Sequence, residues 1–258
     1  MRLLLPLFLL TLAATKAQES EKDADKETLK QAPNDFLDLF DSSRRDRDVQ
    51  TKTNLFFAFG WNQALGNGNG IGDDYTFWGS GIFEVGLDFS TKLSSENDLM
   101  RFNYGLSGQW QTLRIRGNRE FQTLNDITSL EALNFNVDKS KFEQFTLIAP
   151  LHLEIGQREK REFDNGISRY EDDDSIVVGI GGYLGLSLTT SQFLEFERNG
   201  RDISNRLYND FEMEDFVYGL SIYGGYGSAQ IFMKYGLNSI FKDSPVDQQY
   251  ASIGFRFR

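Results

Sequence analysis

From residue 51 to the end of the chain, bulky apolar residues alternate with small or polar ones at a period of two. That is the spacing of side chains on the two faces of a β-strand. Leu55, Phe57, Phe59 and Trp61 form the first row, and Phe83, Val85, Leu87 and Phe89 the second. The third is the clearest: Met100, Phe102, Tyr104, Leu106 and Trp110 stand against Arg101, Asn103, Gly105, Ser107 and Gln109. Further rows run from Phe145 to Ile155, Ile176 to Leu188, Phe216 to Tyr226 and Ile231 to Leu237. The last is "QYASIGFRFR", with Ala251, Ile253, Phe255 and Phe257 opposite Tyr250, Ser252, Gly254 and Arg256. Eight strands are predicted. Long polar loops near 64–75, 116–140 and 190–213 alternate with short turns at 92–98 and 227–228. The connection at 157–174, "QREKREFDNGISRYEDDD", is far longer than a turn on its side should be. It is either an ordered hairpin or a sign that the count is wrong by two.

The volume of the apolar rows decides which face looks outward. The interior of an eight-stranded barrel is only wide enough for side chains to fill, and these rows of Phe and Leu exceed it. The opposite rows, rich in Gly, Ser, Asn and Gln, suit a narrow lumen. The fold expected for residues 51–258 is therefore all-β, an eight-stranded antiparallel up-and-down transmembrane β-barrel. Most rows reach the ~9–11 residues that a spanning strand needs. Trp61, Trp110, Phe255 and Phe257 fall near strand ends, where aromatic girdles meet the lipid interface. An even strand count puts both ends of the domain on one side, expected to be the periplasm.

The residues before the rows read differently. Met1-Arg2, an apolar stretch from Leu3 to Leu12, and small residues up to Ala17 have the pattern of a cleaved signal peptide over residues 1–17. Residues 18–50 are polar and charged, expected to be a flexible periplasmic tail. Within the tail, Phe36, Leu37 and Phe40 could share one helical face and contact a partner. The chain has no cysteine, which excludes disulfides, thiolate metal sites and a lipidated cysteine after the signal. Its net charge of −11 and lack of a basic stripe argue against nucleic acid. Outer-membrane lipid and lipopolysaccharide are the expected surroundings, with another envelope protein as a possible partner. No cofactor or metal is expected: "GNGNGIGDD" and the acidic run at 172–174 lack the full spacing of a calcium loop.

Six charges point into the lumen on this register: Glu84, Asp88 and Glu154 against Arg101, Lys234 and Arg256. Three acids balance three bases, so mutual pairing is expected. A structural plug of salt bridges is one reading of this network, and a narrow selective pore is the alternative. His152, the only histidine, lies two residues from Glu154 on the same face. It is the one candidate for a catalytic base, as in a lipid-modifying outer-membrane enzyme. No nucleophile accompanies it by motif, so no catalytic residue is assigned.

The segments "PLHLEI" at 150–155, "GIGGYLGLSL" at 179–188, "DFVYGLSIYGGYG" at 215–227 and "KYGLNSIF" at 234–241 resemble the PorT-like outer-membrane β-barrel family. The resemblance covers about residues 51 to 258. It implies an eight-stranded outer-membrane barrel, some members being similar to parts of a secretion and gliding apparatus, and it transfers no catalytic residue. Arg258 stands where such barrels commonly end on an aromatic. The expectation is an integral outer-membrane protein without enzymatic activity, structural or accessory to an envelope complex.

Overall fold

The structure, a computed structural model, describes residues 50–66, 69–94, 97–162, 168–171, 175–242 and 244–258. The signal segment, the tail with Phe36, Leu37 and Phe40, and the acidic run at 172–174 lie outside the described residues. The chain divides into two compact units, one of residues 50–159 and 171–258 and one that includes residues 160–170.

Among the described residues the strands are β1 (Thr51–Leu65), β2 (Gly81–Lys92), β3 (Met100–Ile115), β4 (Arg119–Leu124), β5 (Ile127–Ala132), β6 (Lys139–Gly156), β7 (Glu159–Glu162), β8 (Ser168–Glu171), β9 (Ile176–Arg198), β10 (Arg201–Tyr208), β11 (Phe216–Tyr226), β12 (Ala229–Gly236) and β13 (Gln249–Phe257). A hydrogen-bonded ring runs β1–β2–β3–β6–β9–β11–β12–β13 and closes on β1, every pair antiparallel. These are the eight strands that the alternation predicts. Strands β7 and β8 pair only with each other, as a two-stranded sheet. The long connection is therefore a hairpin, and the count of eight stands.

Two predicted loops are strands instead. The 116–140 loop contains the β4–β5 hairpin, turned by Asn125 and Asp126 at φ 53° and 61°. The 190–213 loop is the far end of β9, returning as β10 through Asn199 and Gly200 at φ 53° and 71°. Both are two-residue turns with positive φ at each central position, the geometry whose twist matches that of paired strands. The alternation in β9 fails at one point. Phe145 pairs with Thr189 but Thr146 with Ser187, so Leu188 is a bulge. Before it, odd-numbered residues such as Tyr183 and Gly185 face inward; after it, Thr190, Gln192 and Leu194 do. A period-two reading loses phase there and ends the strand eight residues or more too early.

The bulky rows face out. Leu55, Phe57, Phe59, Phe83, Leu106, Ile180, Leu220 and Ile231 are all exposed, while Glu84, Asp88, Asn103, Gln109, Ser221 and Arg256 are buried within the ring. One aromatic row crosses four strands in register: Phe59, Phe83, Trp110 and Phe145. The main apolar core sits elsewhere, at the end of the ring where the long connections meet. Tyr75, Leu113, Phe121, Phe142, Phe211, Met213 and Phe241 gather there. Loops expected to be solvated thus build a packed cap, because each carries one or two aromatic or aliphatic residues that the alternation does not register.

Candidate functional site

Inside the ring, each of the predicted lumen residues is at least half enclosed, and all but Lys234 are buried as whole residues. They form three linked groups. Lys234 contacts Glu84, whose other oxygen accepts from Ser107 Oγ at 2.7 Å, and Lys234 Nζ also donates to Gln109 Oε1 at 2.9 Å. Arg256 donates to Asp88 at 2.8 Å and to Gln230 at 3.1 Å. Its guanidinium lies 4.6 Å from the ring centroid of Phe56 and 4.3 Å from that of Tyr223, a cation held by a carboxylate and two aromatic faces.

Glu154 anchors the third group and is fully buried. Its Oε2 accepts from Asn103 Nδ2 at 2.8 Å, Tyr223 Oη at 2.6 Å and Arg258 Nη1 at 2.7 Å. Its Oε1 accepts from Arg258 Nη2 at 3.0 Å and from Arg158. Bidentate pairing with Arg258 is the geometry in which a guanidinium fork binds most strongly. Arg101 sits beside Glu154 in register but turns away, gripping Asp98 in a fork at 2.7 and 2.6 Å.

The expected balance of three acids and three bases is therefore incomplete. Asp98, Arg158 and Arg258 join the network from the turn before β3, the link between β6 and β7, and the residue after β13. Arg158 and Arg258 keep the inward parity of Glu154 and Arg256 but lie just past the rows as read, so extending the alternation by two or four residues finds them; Asp98, in the turn before β3, has no such signal. Arg258, which stands out in sequence as the wrong residue for a barrel ending, is a counter-ion to Glu154.

His152 is buried in the lumen with its ring 5.0 Å from that of Tyr223. Its Nε2 has no hydrogen-bond partner among the described residues. The partners of Glu154 are arginines, an asparagine and a tyrosine, so the pair does not form the oriented base that sequence proximity offers. A cavity of about 20 Å³ beside His152 is lined by Phe56, Glu84, Tyr223, Lys234 and Arg256. A second, also about 20 Å³, lies toward the cap between Gln109, Gln144, Tyr183 and Tyr250. Each has room for about one water.

The cap closes over this lumen. Phe121 packs against Phe142 and Phe241 with centroids 5.0 and 4.8 Å away, and Phe142 against Phe211 at 5.3 Å. Polar links tie the loops together: Tyr75 Oη donates to Gln248 at 2.7 Å, Gln248 to Asp74 at 2.9 Å, and Arg119 pairs with Asp74 at 2.7 Å. Burial, and then the neighbouring Asp74 carboxylate, push the Tyr75 hydroxyl well above its ordinary range. At the exposed rim, the hydrogen bond from Lys242 to Asp215 holds the lysine above its usual value. Among the described residues no group of His, Asp and Glu is arranged to hold a metal ion.

On the outer face, Trp61 stacks on Phe77 at 5.5 Å and Trp110 packs on Phe145 at 4.6 Å, both toward the capped end. Phe257 stacks on Phe57 at 5.2 Å toward the opposite end, and Phe255 lies 6.1 Å from Phe59.

No family model matches the chain, and no curated protein matches it either. Among solved structures, two mutants of the Rh. blastica porin align over 80% of this chain and 99% of theirs, at 12% identity and a TM-score of 0.19. That likeness is distant and carries no argument about this chain; the closed ring of eight antiparallel strands rests on its own pairings.

Proposed function

We propose that the protein is an integral outer-membrane β-barrel with a closed lumen, acting without enzymatic activity as a structural or accessory component of an envelope complex. The observation that carries this reading is the inverted distribution of side chains: exposed Phe, Leu and Ile around an ionic interior. A soluble protein rarely exposes a contiguous apolar patch above a few hundred Å², whereas hydrocarbon accommodates one. The height of the band agrees. From Met100 to Trp110 the outward row of β3 covers ~34 Å at ~3.4 Å per residue, or about 26 Å at a tilt of ~40°, against an apolar band of ~25 Å in membrane barrels.

Closure favours a structural role over a pore. Ion pairs cross the lumen, its two described cavities hold about 20 Å³ each, and aromatic rings cover one end. Burial of His152 inside the ring, away from any bilayer substrate, favours a role without catalysis. The resemblance to PorT-like barrels points to a place in an envelope assembly. The β4–β5 hairpin and the β9–β10 extension, beyond the apolar band, supply surface for a partner.

Three measurements test the proposal. The protein should sediment with outer membranes and leave them only in detergent, and purified protein in a planar bilayer should show no steady conductance at low voltage. A tagged copy drawn from native membranes in mild detergent should bring an envelope protein with it. Steady open channels would overturn the closed lumen, and a solitary barrel in the pull-down would overturn the accessory role.

A further inference from the structure

The outer face carries a groove of about 610 Å³ near the capped end. It lies where two rows of outward side chains cross β9, β11, β12, β13 and β1. One row is Ile180, Ile222, Met233, Ile253 and Trp61; in the next, Gly182 and Ala251 interrupt the bulky series and leave a depression. The chain between β1 and β2 forms its far wall. Gly72 N donates to Gln63 Oε1 at 3.1 Å and Gln63 Nε2 to the Thr76 carbonyl at 3.4 Å, so an outward-pointing glutamine is buried and its polar atoms are satisfied. Phe77, stacked on Trp61, fixes the wall laterally. Ile71 and Trp78 on the same segment are 67% and 73% exposed.

Apart from Gln63, which the wall itself covers, and the hydroxyl of Tyr235, the side chains facing the groove are apolar; Lys234, Ser221 and Ser252 belong to the inward rows and border it from behind, the Lys234 ammonium pointing to Glu84. Its volume is within the ~300–1,000 Å³ of small-molecule sites. It opens onto the band that the proposed function assigns to lipid, so what reaches it is hydrocarbon. Within the described residues, β1 starts at Thr51, at the end of the ring opposite the groove. We infer that the groove is a lipid site, holding one acyl chain of a lipid in the capped-end leaflet more tightly than bulk chains are held. This rests on the membrane reading above.

The chain has three tryptophans, which makes the test direct. A form retaining only Trp61 (Trp78→Phe, Trp110→Phe) reports the groove, and a form retaining only Trp110 (Trp61→Phe, Trp78→Phe) reports ordinary lipid-facing wall. Each is titrated in detergent micelles with a brominated fatty acid, whose bromines quench nearby indoles. Quenching of Trp61 should saturate, with half-effect at a mole fraction about tenfold below that for Trp110, equivalent to ~1.4 kcal/mol of preference. Ala251→Phe, which fills the groove, should bring the Trp61 curve onto that of Trp110; Ala251→Leu serves if the ring prevents folding. Coincident curves for the two tryptophans, or a Trp61 curve indifferent to a folded Ala251 variant, would overturn the site. Loss of Trp61 quenching as protein per micelle rises would place a second copy in the groove and overturn the acyl-chain assignment. Absence of any quenching at Trp110 would instead sink the lipid-facing reading on which the proposal stands.

Discussion

Glu84 and Lys234 show what is at stake in a single buried contact. Truncating one partner leaves an ion in a poorly solvated lumen, whereas replacing both removes the desolvation cost along with the attraction. Lys234→Met is expected to lower stability by about 3–5 kcal/mol, and adding Glu84→Gln should restore most of that loss. Urea titration of the protein folded in vesicles measures both, and equal destabilisation by the single and double variants would refute the pairing. Tyr75 gives a pH dependence. Its folded hydroxyl resists ionisation, while the unfolded tyrosine ionises near its ordinary value of 10.0. Above that pH the unfolded state binds fewer protons than the folded one, so stability falls as pH rises. Tyr75→Phe should weaken this alkaline loss, at the expense of about 1–3 kcal/mol at neutral pH from the stranded Gln248 oxygen. Denaturation curves at pH 8 and pH 11 separate the two effects.

At the level of strands, close approach fixes where side chains are allowed. A Cβ on Gly179 would fall 2.2 Å from the Tyr223 ring, which must pass over that position to reach Glu154. Gly179→Val is therefore expected to cost at least about 1–3 kcal/mol through overpacking, and to do so less in a Tyr223→Ala background. Thermal unfolding in detergent, followed by loss of the compact band on a gel, reads this. The bulge at Leu188 bears on β9 in a different way. Leu188 is the extra residue between Ser187, which pairs with Thr146, and Thr189, which pairs with Phe145, so deleting it restores strict alternation and keeps Thr190, Gln192 and Leu194 inward. Phe121 N then keeps its acceptor, Gln192 Oε1 at 2.8 Å. Proteolysis should spare the 116–138 connection in the deleted form as in the parent, and cleavage confined to the deleted form would show that the cap depends on the bulge.

Within the ring, the decisive division is between an ionic lumen, an apolar cap and an outward apolar wall. The cap and the ion network block the lumen in series, so each is expected to keep it closed alone. Phe121→Ala with Phe142→Ala should lower stability, each truncation removing about 3–5 kcal/mol of packing, yet still give no steady bilayer conductance. Channels in this variant, absent from the parent, would show that the cap is the only barrier.

The alternation of residues by itself determined the eight strands, their inward and outward faces, and the enclosure of Glu84, Asp88, Glu154, Lys234 and Arg256, because period two is a property of neighbouring residues. It was blind at Leu188, where one added residue inverts the phase, and it passed over Asn125-Asp126 and Asn199-Gly200, although both turns are legible in local chemistry. Only the tertiary structure decided that Asp98 takes Arg101, that Arg258 and Arg158 converge on Glu154, and that aromatic residues from separate connections form a cap. Asp98–Arg101 and Glu154–Arg158 are local pairs that the rows as read stop short of, whereas Arg258 and the cap aromatics come from distant parts of the chain, and closing the ring is what brings those within reach.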